Sequence, residues 1–223
     1  MKRRGFLKAS ALSTAGLALA ACSESSADEG GGGEGCDTLR LVTPVEPRIV
    51  GVDERELLDD EDGRYKVRAA EMGNYWSLME LTLAPKQLLA PHTHADYDQA
   101  VYLIEGELGF EFGGEGGTVL SGGAGSYVIK PRGLSHTFWN PGDTPVRYIE
   151  MSANVTFERF VDSVQGVDDM REIDAAAKEH GVEFHYDQIA RLMLQHGLTS
   201  VKGSAIHLPR LDELDLPGRP PRP

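Results

Sequence analysis

"APHTHADYDQAVYLIEGELGF" occupies Ala90–Phe110. His92 and His94 stand two positions apart, and the apolar run that follows stops at Glu105-Gly106-Glu107. On a β-strand, residues i and i+2 point to the same face. Both imidazoles therefore enter one interior, and neutral imidazole is a good ligand for zinc, iron, nickel and copper. Where a carboxylate would complete the set, the chain offers Asp98 and then Gln99.

The flanking sequence carries the same period. In "NYWSLMELTLAP" (Asn74–Pro85), Trp76, Leu78, Glu80 and Thr82 alternate with Ser77, Met79, Leu81 and Leu83, and Pro85 ends the run. Then come "AVYLIEG", "ELGFEFGG", "GTVLSGG", "GSYVIKPRG", "HTFWNPG" and "PVRYIEMSA". They are short, rich in β-branched and aromatic residues, and punctuated by Gly, Pro, Asn and Asp. Such a series predicts an antiparallel sandwich or barrel, and no solenoid repeat is present.

A second stretch raises the histidines above coincidence. Gly125 is followed by five residues, then Pro131-Arg132-Gly133, two residues, His136, three residues and Asn140. With His92-Thr93-His94, four residues, Gln99, six residues and Gly106, the pair of motifs resembles the cupin superfamily. The second motif matches at every position, and the first matches except at the acid. The resemblance covers roughly residues 75–153. It implies an all-β jelly-roll barrel (a double-stranded β-helix) with His92, His94 and His136 around a divalent transition metal: iron, manganese, nickel or zinc.

The departure is Gln99, where the family usually has a glutamate ligand. A glutamine can bind through its amide oxygen but adds no charge, so the site would hold a metal more weakly and leave it a stronger Lewis acid. Asp98 could instead enter through a local bulge, although regular alternation sends it to the face opposite Gln99. Loss of the metal is a third reading. Val101 and Leu103 share one parity and Tyr102 and Ile104 the other. Phe138 follows His136 in parity, and Trp76 and Tyr148 are further candidate walls of a small-molecule pocket. The likeness to quercetin-dioxygenase-like cupins, including a helical segment after the barrel, implies an oxygenase acting on a small organic compound. A cupin isomerase or lyase, or a non-catalytic small-molecule-binding cupin, is the alternative.

Beyond Thr156 the period changes. Met170, Ile173, Ala176 and Ala177 have helical spacing after Asp169, with Gly181 as the stop. Asp187 is placed to cap a second helix with Ile189, Leu192, Met193 and His196 on one face and Gly197 after it. These helices are expected to pack on the barrel, or on a second copy to give a homodimer. His180, His185, His196 and His207 lack ligand spacing and read as structural or solvated. The run Asp59–Asp62 lacks the alternation of a calcium loop.

The N-terminus "MKRRGFLKASALSTAGLALAACSESS" has a basic start and an Ala/Leu-rich stretch too short to span a bilayer, which reads as a signal peptide. Arg3-Arg4 resembles a twin-arginine export signal. Leu19-Ala20-Ala21-Cys22 resembles a lipobox, which implies that Cys22 is lipidated and anchors the exported chain to the cell envelope membrane. The expected order is signal 1–21, flexible tether 22–38, barrel 39–155, helical extension 156–207 and proline-rich tail 208–223. With Cys22 lipidated, Cys36 has no disulfide partner and is incidental. The net charge is −13, and residues 1–21 hold four bases and no acid, so the mature balance is −17. Such a surface disfavours nucleic acid as a partner.

Overall fold

A computed structural model describes residues 46–55, 57–58 and 63–203. The expected signal peptide, the tether with Cys22 and Cys36, the acidic run 59–62, His207 and the tail lie outside the described residues. Along the chain run β1 (Gly63–Val67), β2 (Trp76–Leu83), β3 (Gln87–Leu88), β4 (His92–His94), β5 (Gln99–Glu105), β6 (Glu107–Phe112), β7 (Thr118–Gly123) and β8 (Tyr127–Lys130). β9 (His136–Trp139) and β10 (Val146–Ala153) follow, then α1 (Thr156–Ser163), α2 (Met170–Glu179), β11 (Val182–Phe184), α3 (Ile189–His196) and β12 (Ser200–Val201).

The strands form two sheets facing each other in a jelly-roll barrel. One has the order β1-β2-β10-β5-β8. The other has the order β11-β4-β9-β3-β12, with β6 joining β9 to β7. All the pairings are antiparallel except β12 with β3. The tight turn at Gly106 needs φ +84°, and a Cβ there would meet Val146 Cγ2 at 2.7 Å, so only glycine fits between β5 and β6.

Alternation puts Ser77, Met79, Leu81 and Leu83 of β2 inside, and Val146, Tyr148, Glu150 and Ser152 of β10 beside them. Val101 and Leu103 of β5 and Phe110 of β6 complete the apolar centre. One expected pocket wall is not found: Trp76 shares the half-buried outer parity of β2. Tyr102 lies on the outer parity of β5, tilted against Tyr127 at 4.6 Å. Phe138 and Tyr148 do lie inside, edge to face at 5.4 Å.

The extension does more than lie on the barrel. α3 packs Ile189, Leu192 and Met193 against Leu88 and Trp139, while α1, α2 and β11 enclose Phe160, Ala177 and Val182 with Tyr97. Arg191 of α3 makes a two-pronged ion pair with Glu111, a buried residue of β6. Asp169 caps α2 by accepting from Arg171 N at 2.8 Å. Asp187 is not the cap of α3: a short 3₁₀ turn, Tyr186–Gln188, leads into that helix. The extension also holds elements that periodicity did not reveal, namely α1, β11 and β12.

Candidate metal centre

His92 and His94 lie on β4, and His92 pairs in register with His136 of β9. The period-2 geometry turns both β4 imidazoles inward, and Thr93 between them faces away, where its Oγ1 meets His185 Nε2 at 2.8 Å. His136 reaches the same point from a turn set by Pro131-Arg132-Gly133. Gly133, at φ +71°, donates its N–H to the His94 carbonyl at 2.7 Å, tying the second motif to the first. Asn140 closes the motif structurally: its Nδ2 donates to the Leu83 and Thr144 carbonyls and its Oδ1 accepts from Gly142 N.

The three rings converge. Their centroids are 4.5–4.8 Å apart, and one ligand nitrogen from each lies within 4.8 Å of the others. His92 Nδ1 lies 2.7 Å from the Ala90 carbonyl and His136 Nδ1 2.9 Å from the Leu134 carbonyl. A carbonyl only accepts, so in both rings Nδ1 carries the proton and Nε2 keeps its lone pair. His136 Nε2 and both nitrogens of His94 are buried with no protein partner. Unpartnered buried nitrogens are costly in a folded protein. A cation between the rings would take one nitrogen from each, so the donor set fits a divalent transition metal.

The electrostatics favour the ligand form. Burial, then the Lys130 charge, depresses His92 to about 3. Burial and the charged form of His92 depress His136 to about 2, and the same influences carry His94 lower still. All three are neutral at physiological pH, the state in which imidazole binds metal.

Gln99 and Asp98 part company. Gln99 is buried inside the barrel, with Nε2 donating to Ser152 Oγ at 2.7 Å and Oε1 unpartnered. Asp98 is half exposed on the other face, where it takes Arg132 Nη2 at 2.5 Å and Arg132 N at 2.9 Å. The alternative in which Asp98 bulges into the site is therefore not realised.

Register exposes a polar layer that the sequence reading missed. Ser77, Ser152, Gln99 and Lys130 are successive partners across β2, β10, β5 and β8, and all four are buried. Lys130 Nζ donates to Glu150 Oε1 at 2.8 Å, with the two side chains 0% and 4% exposed. A cavity of about 730 Å³ opens on the Glu150 side of that pair. Barrel residues His92, Met79, Leu81, Tyr148 and Glu150 line it, and so do Phe157, Phe160, Ile173 and Phe184 of the extension.

The cupin domain family matches residues 79–152, about a third of the chain, which supports placing the barrel in the cupin superfamily. Similar solved structures include a predicted oxalate decarboxylase from Thermotoga maritima, 20% identical (41% of this chain, 78% of that one, TM-score 0.38). A conserved protein with a double-stranded β-helix domain from Klebsiella pneumoniae is 24% identical (49% and 91%, TM-score 0.40). KdgF from Halomonas is 14% identical (48% and 94%, TM-score 0.42). At this degree of likeness none of them bears on activity. No curated protein matches the chain significantly.

Proposed function

We propose that the chain is a metal-dependent cupin that converts a small organic compound, with dioxygenase-like chemistry as the leading reading. The observation that carries it is the cluster of three neutral, buried imidazoles: His94 and His136 have unpartnered nitrogens, and the third, His92, lines a largely apolar cavity. His92, His94 and His136 would hold the ion, with the Gln99 carbonyl oxygen as a neutral fourth donor. When bound, the metal supplies Lewis-acid or one-electron chemistry. The carbonyls of Ala90 and Leu134 fix the ring tautomers, which is what keeps two lone pairs aimed inward. The aromatic walls from the extension exclude water and strengthen every polar contact inside.

Metal analysis of the purified chain is the test. Close to one divalent transition metal per chain is expected, with His136→Ala losing most of it. The iron- or manganese-loaded protein should also take up dioxygen with a panel of hydroxylated aromatic compounds, and His136→Ala should not. A chain that stays metal-free after growth in excess iron, zinc, nickel and manganese would instead be a non-catalytic binding module.

We further propose that the protein is exported and lipid-anchored, on the strength of Arg3-Arg4 and Leu19-Ala20-Ala21-Cys22. Cys22→Ser should release it from membranes or block its maturation. Lys-Lys in place of Arg3-Arg4 should stop export, and continued export would point to the general secretory route.

A further inference from the structure

The least expected group in the barrel is the Lys130–Glu150 pair. Neither residue is a fixed position of the histidine motifs (Lys130 fills the last variable place before Pro131), and the lysine is wholly buried. Burying an ion pair rarely adds stability, because desolvation of both charges offsets their attraction. An apolar pair of similar volume would fill the same space at no loss. The arrangement has a direction, however. Lys130 stands behind, beneath the Phe138 ring at 5.4 Å, and does not reach the cavity, whereas Glu150 lines it together with His92. Lys130 occupies only Oε1 of the carboxylate.

The remaining barrel surface of the cavity is mostly apolar, Met79, Leu81, Leu89 and Ala90, with Tyr148 as the one further barrel residue that carries a polar atom, a neutral hydroxyl, besides His92. The other charged or amide groups lining it, Gln165, Asp168 and Lys202, come from the extension, and Asp168 is exposed at the rim. A pocket of this kind orients its ligand through a few placed polar groups. We infer that Glu150, held from behind by Lys130, is the polar anchor of the cavity and selects an apolar ligand carrying a hydroxyl group. This rests on the reading of the cavity as a substrate site.

The chemistry narrows the ligand. An ionised carboxylate only accepts, so the group facing it must donate. Lys130 already balances the carboxylate charge, so no cation is called for. A dication at the neighbouring histidines would repel one. An anionic ligand would meet the carboxylate head-on. A neutral hydroxyl on an apolar frame satisfies all three conditions, and a hydrogen bond to a charged acceptor shielded from water is among the stronger ones.

The test uses three probes of one shape, 2-naphthol, 2-methoxynaphthalene and 2-naphthoate, titrated calorimetrically into the metal-loaded full chain. Metal content is measured on the same sample. Wild type should bind 2-naphthol about tenfold or more tightly than the methyl ether, and 2-naphthoate should bind more weakly than both. Glu150→Gln keeps an oxygen for Lys130 and turns its N–H₂ toward the cavity. It should lose the preference for 2-naphthol while binding 2-methoxynaphthalene within about threefold of wild type. If that variant fails to fold, Lys130→Met with Glu150→Leu removes both charges together and should show the same loss of discrimination. Equal affinity of wild type for naphthol and its ether would overturn the anchor, as would tighter binding of naphthoate or no binding of 2-naphthol at millimolar concentration. Discrimination without metal would overturn the metal reading and leave the anchor standing, and metal without discrimination would do the reverse.

Discussion

The two flanks of the barrel are made of similar short strands and finished in opposite ways. On one flank, β11 runs along β4, with Val182 opposite His94 and Phe184 opposite His92, and β12 runs along β3. On the other, β7 and β8 end the sheet paths without a further partner among the described residues, and Val119, Leu120, Tyr127 and Ile129 stand exposed. The difference follows from what each strand carries. β4 has three residues, two of them metal-ligand candidates, and meets β9 only at His92–His136. So short a strand cannot hold two side chains in place by itself. β11 closes its free edge, and Ala95 N to Gly181 O at 2.8 Å and His185 N to Pro91 O at 2.9 Å extend the seam at both ends. The extension is thus part of the site's support, as the partners behind metal ligands generally are.

The largest effect should come from breaking that seam. Val182 is 2% exposed among Tyr97, Phe160 and Ala177, and its backbone faces His94. Val182→Asp would bury a charge with no partner. It should destabilise the protein by about 3 kcal/mol or more. The linked reading is metal content, which should fall with it. Urea unfolding and metal analysis of one preparation would show both. A variant that lost stability but kept its full metal would separate the extension from the site.

Next comes the pair that fastens α3 to the barrel. Arg191→Ala leaves Glu111, 3% exposed, as a buried carboxylate without its guanidinium. Removing one partner of such a pair is worse than removing both, so a loss of about 2 kcal/mol is expected, and Arg191→Ala with Glu111→Leu should recover part of it. Chemical denaturation of the two variants decides. Because α3 covers Leu88 and Trp139 rather than β4, metal content should hold in both.

The flanks also differ in how far they could be read in advance. His92 and His94 stand two apart, and Gly133, His136 and Asn140 keep fixed spacings within one short segment, so the histidine cluster was legible although about forty residues separate its two parts. Most barrel strands were legible because four to eight residues are enough to show a period of two, but β1, Gly63–Val67, was not read. β3, β11 and β12, at two or three residues, are too short to show any period, and they are the elements that seal the site. The Lys130–Glu150 pair was hidden for another reason. Glu150 shares the parity of Tyr148, but one glutamate in a strand reads like a solvated one until the register brings Lys130 beside it. The same limit applied to the surroundings of Gln99, whose partners Ser152 and Lys130 come from two other strands.

A smaller effect is expected at the pair that parts at the start of β5. If Gln99 Oε1 is the fourth donor, Gln99→Glu replaces a neutral oxygen by a charged one and should tighten metal binding on the order of tenfold. Asp98→Asn loosens only an exposed contact with Arg132 and should leave metal affinity within about twofold. Competition with a chelator gives both dissociation constants. Equal and negligible changes would mean that the three histidines hold the ion with water alone.

The smallest effect should lie on the open flank. Ile129 is 73% exposed on β8, whose other edge pairs with β5, so its side chain buries little that Ile129→Lys would lose. Folding free energy should stay within about 0.5 kcal/mol of wild type. A lysine on an edge strand also discourages pairing with another chain. The same variant therefore asks whether Val119, Leu120, Tyr127 and Ile129 are bare in solution. Unchanged stability and an unchanged mass by light scattering would leave this flank as open surface. A wild-type dimer that falls to a monomer in Ile129→Lys, with stability now dependent on protein concentration, would make β8 a subunit edge. Both flanks would then be sealed, one by the chain's own extension and the other by a second copy.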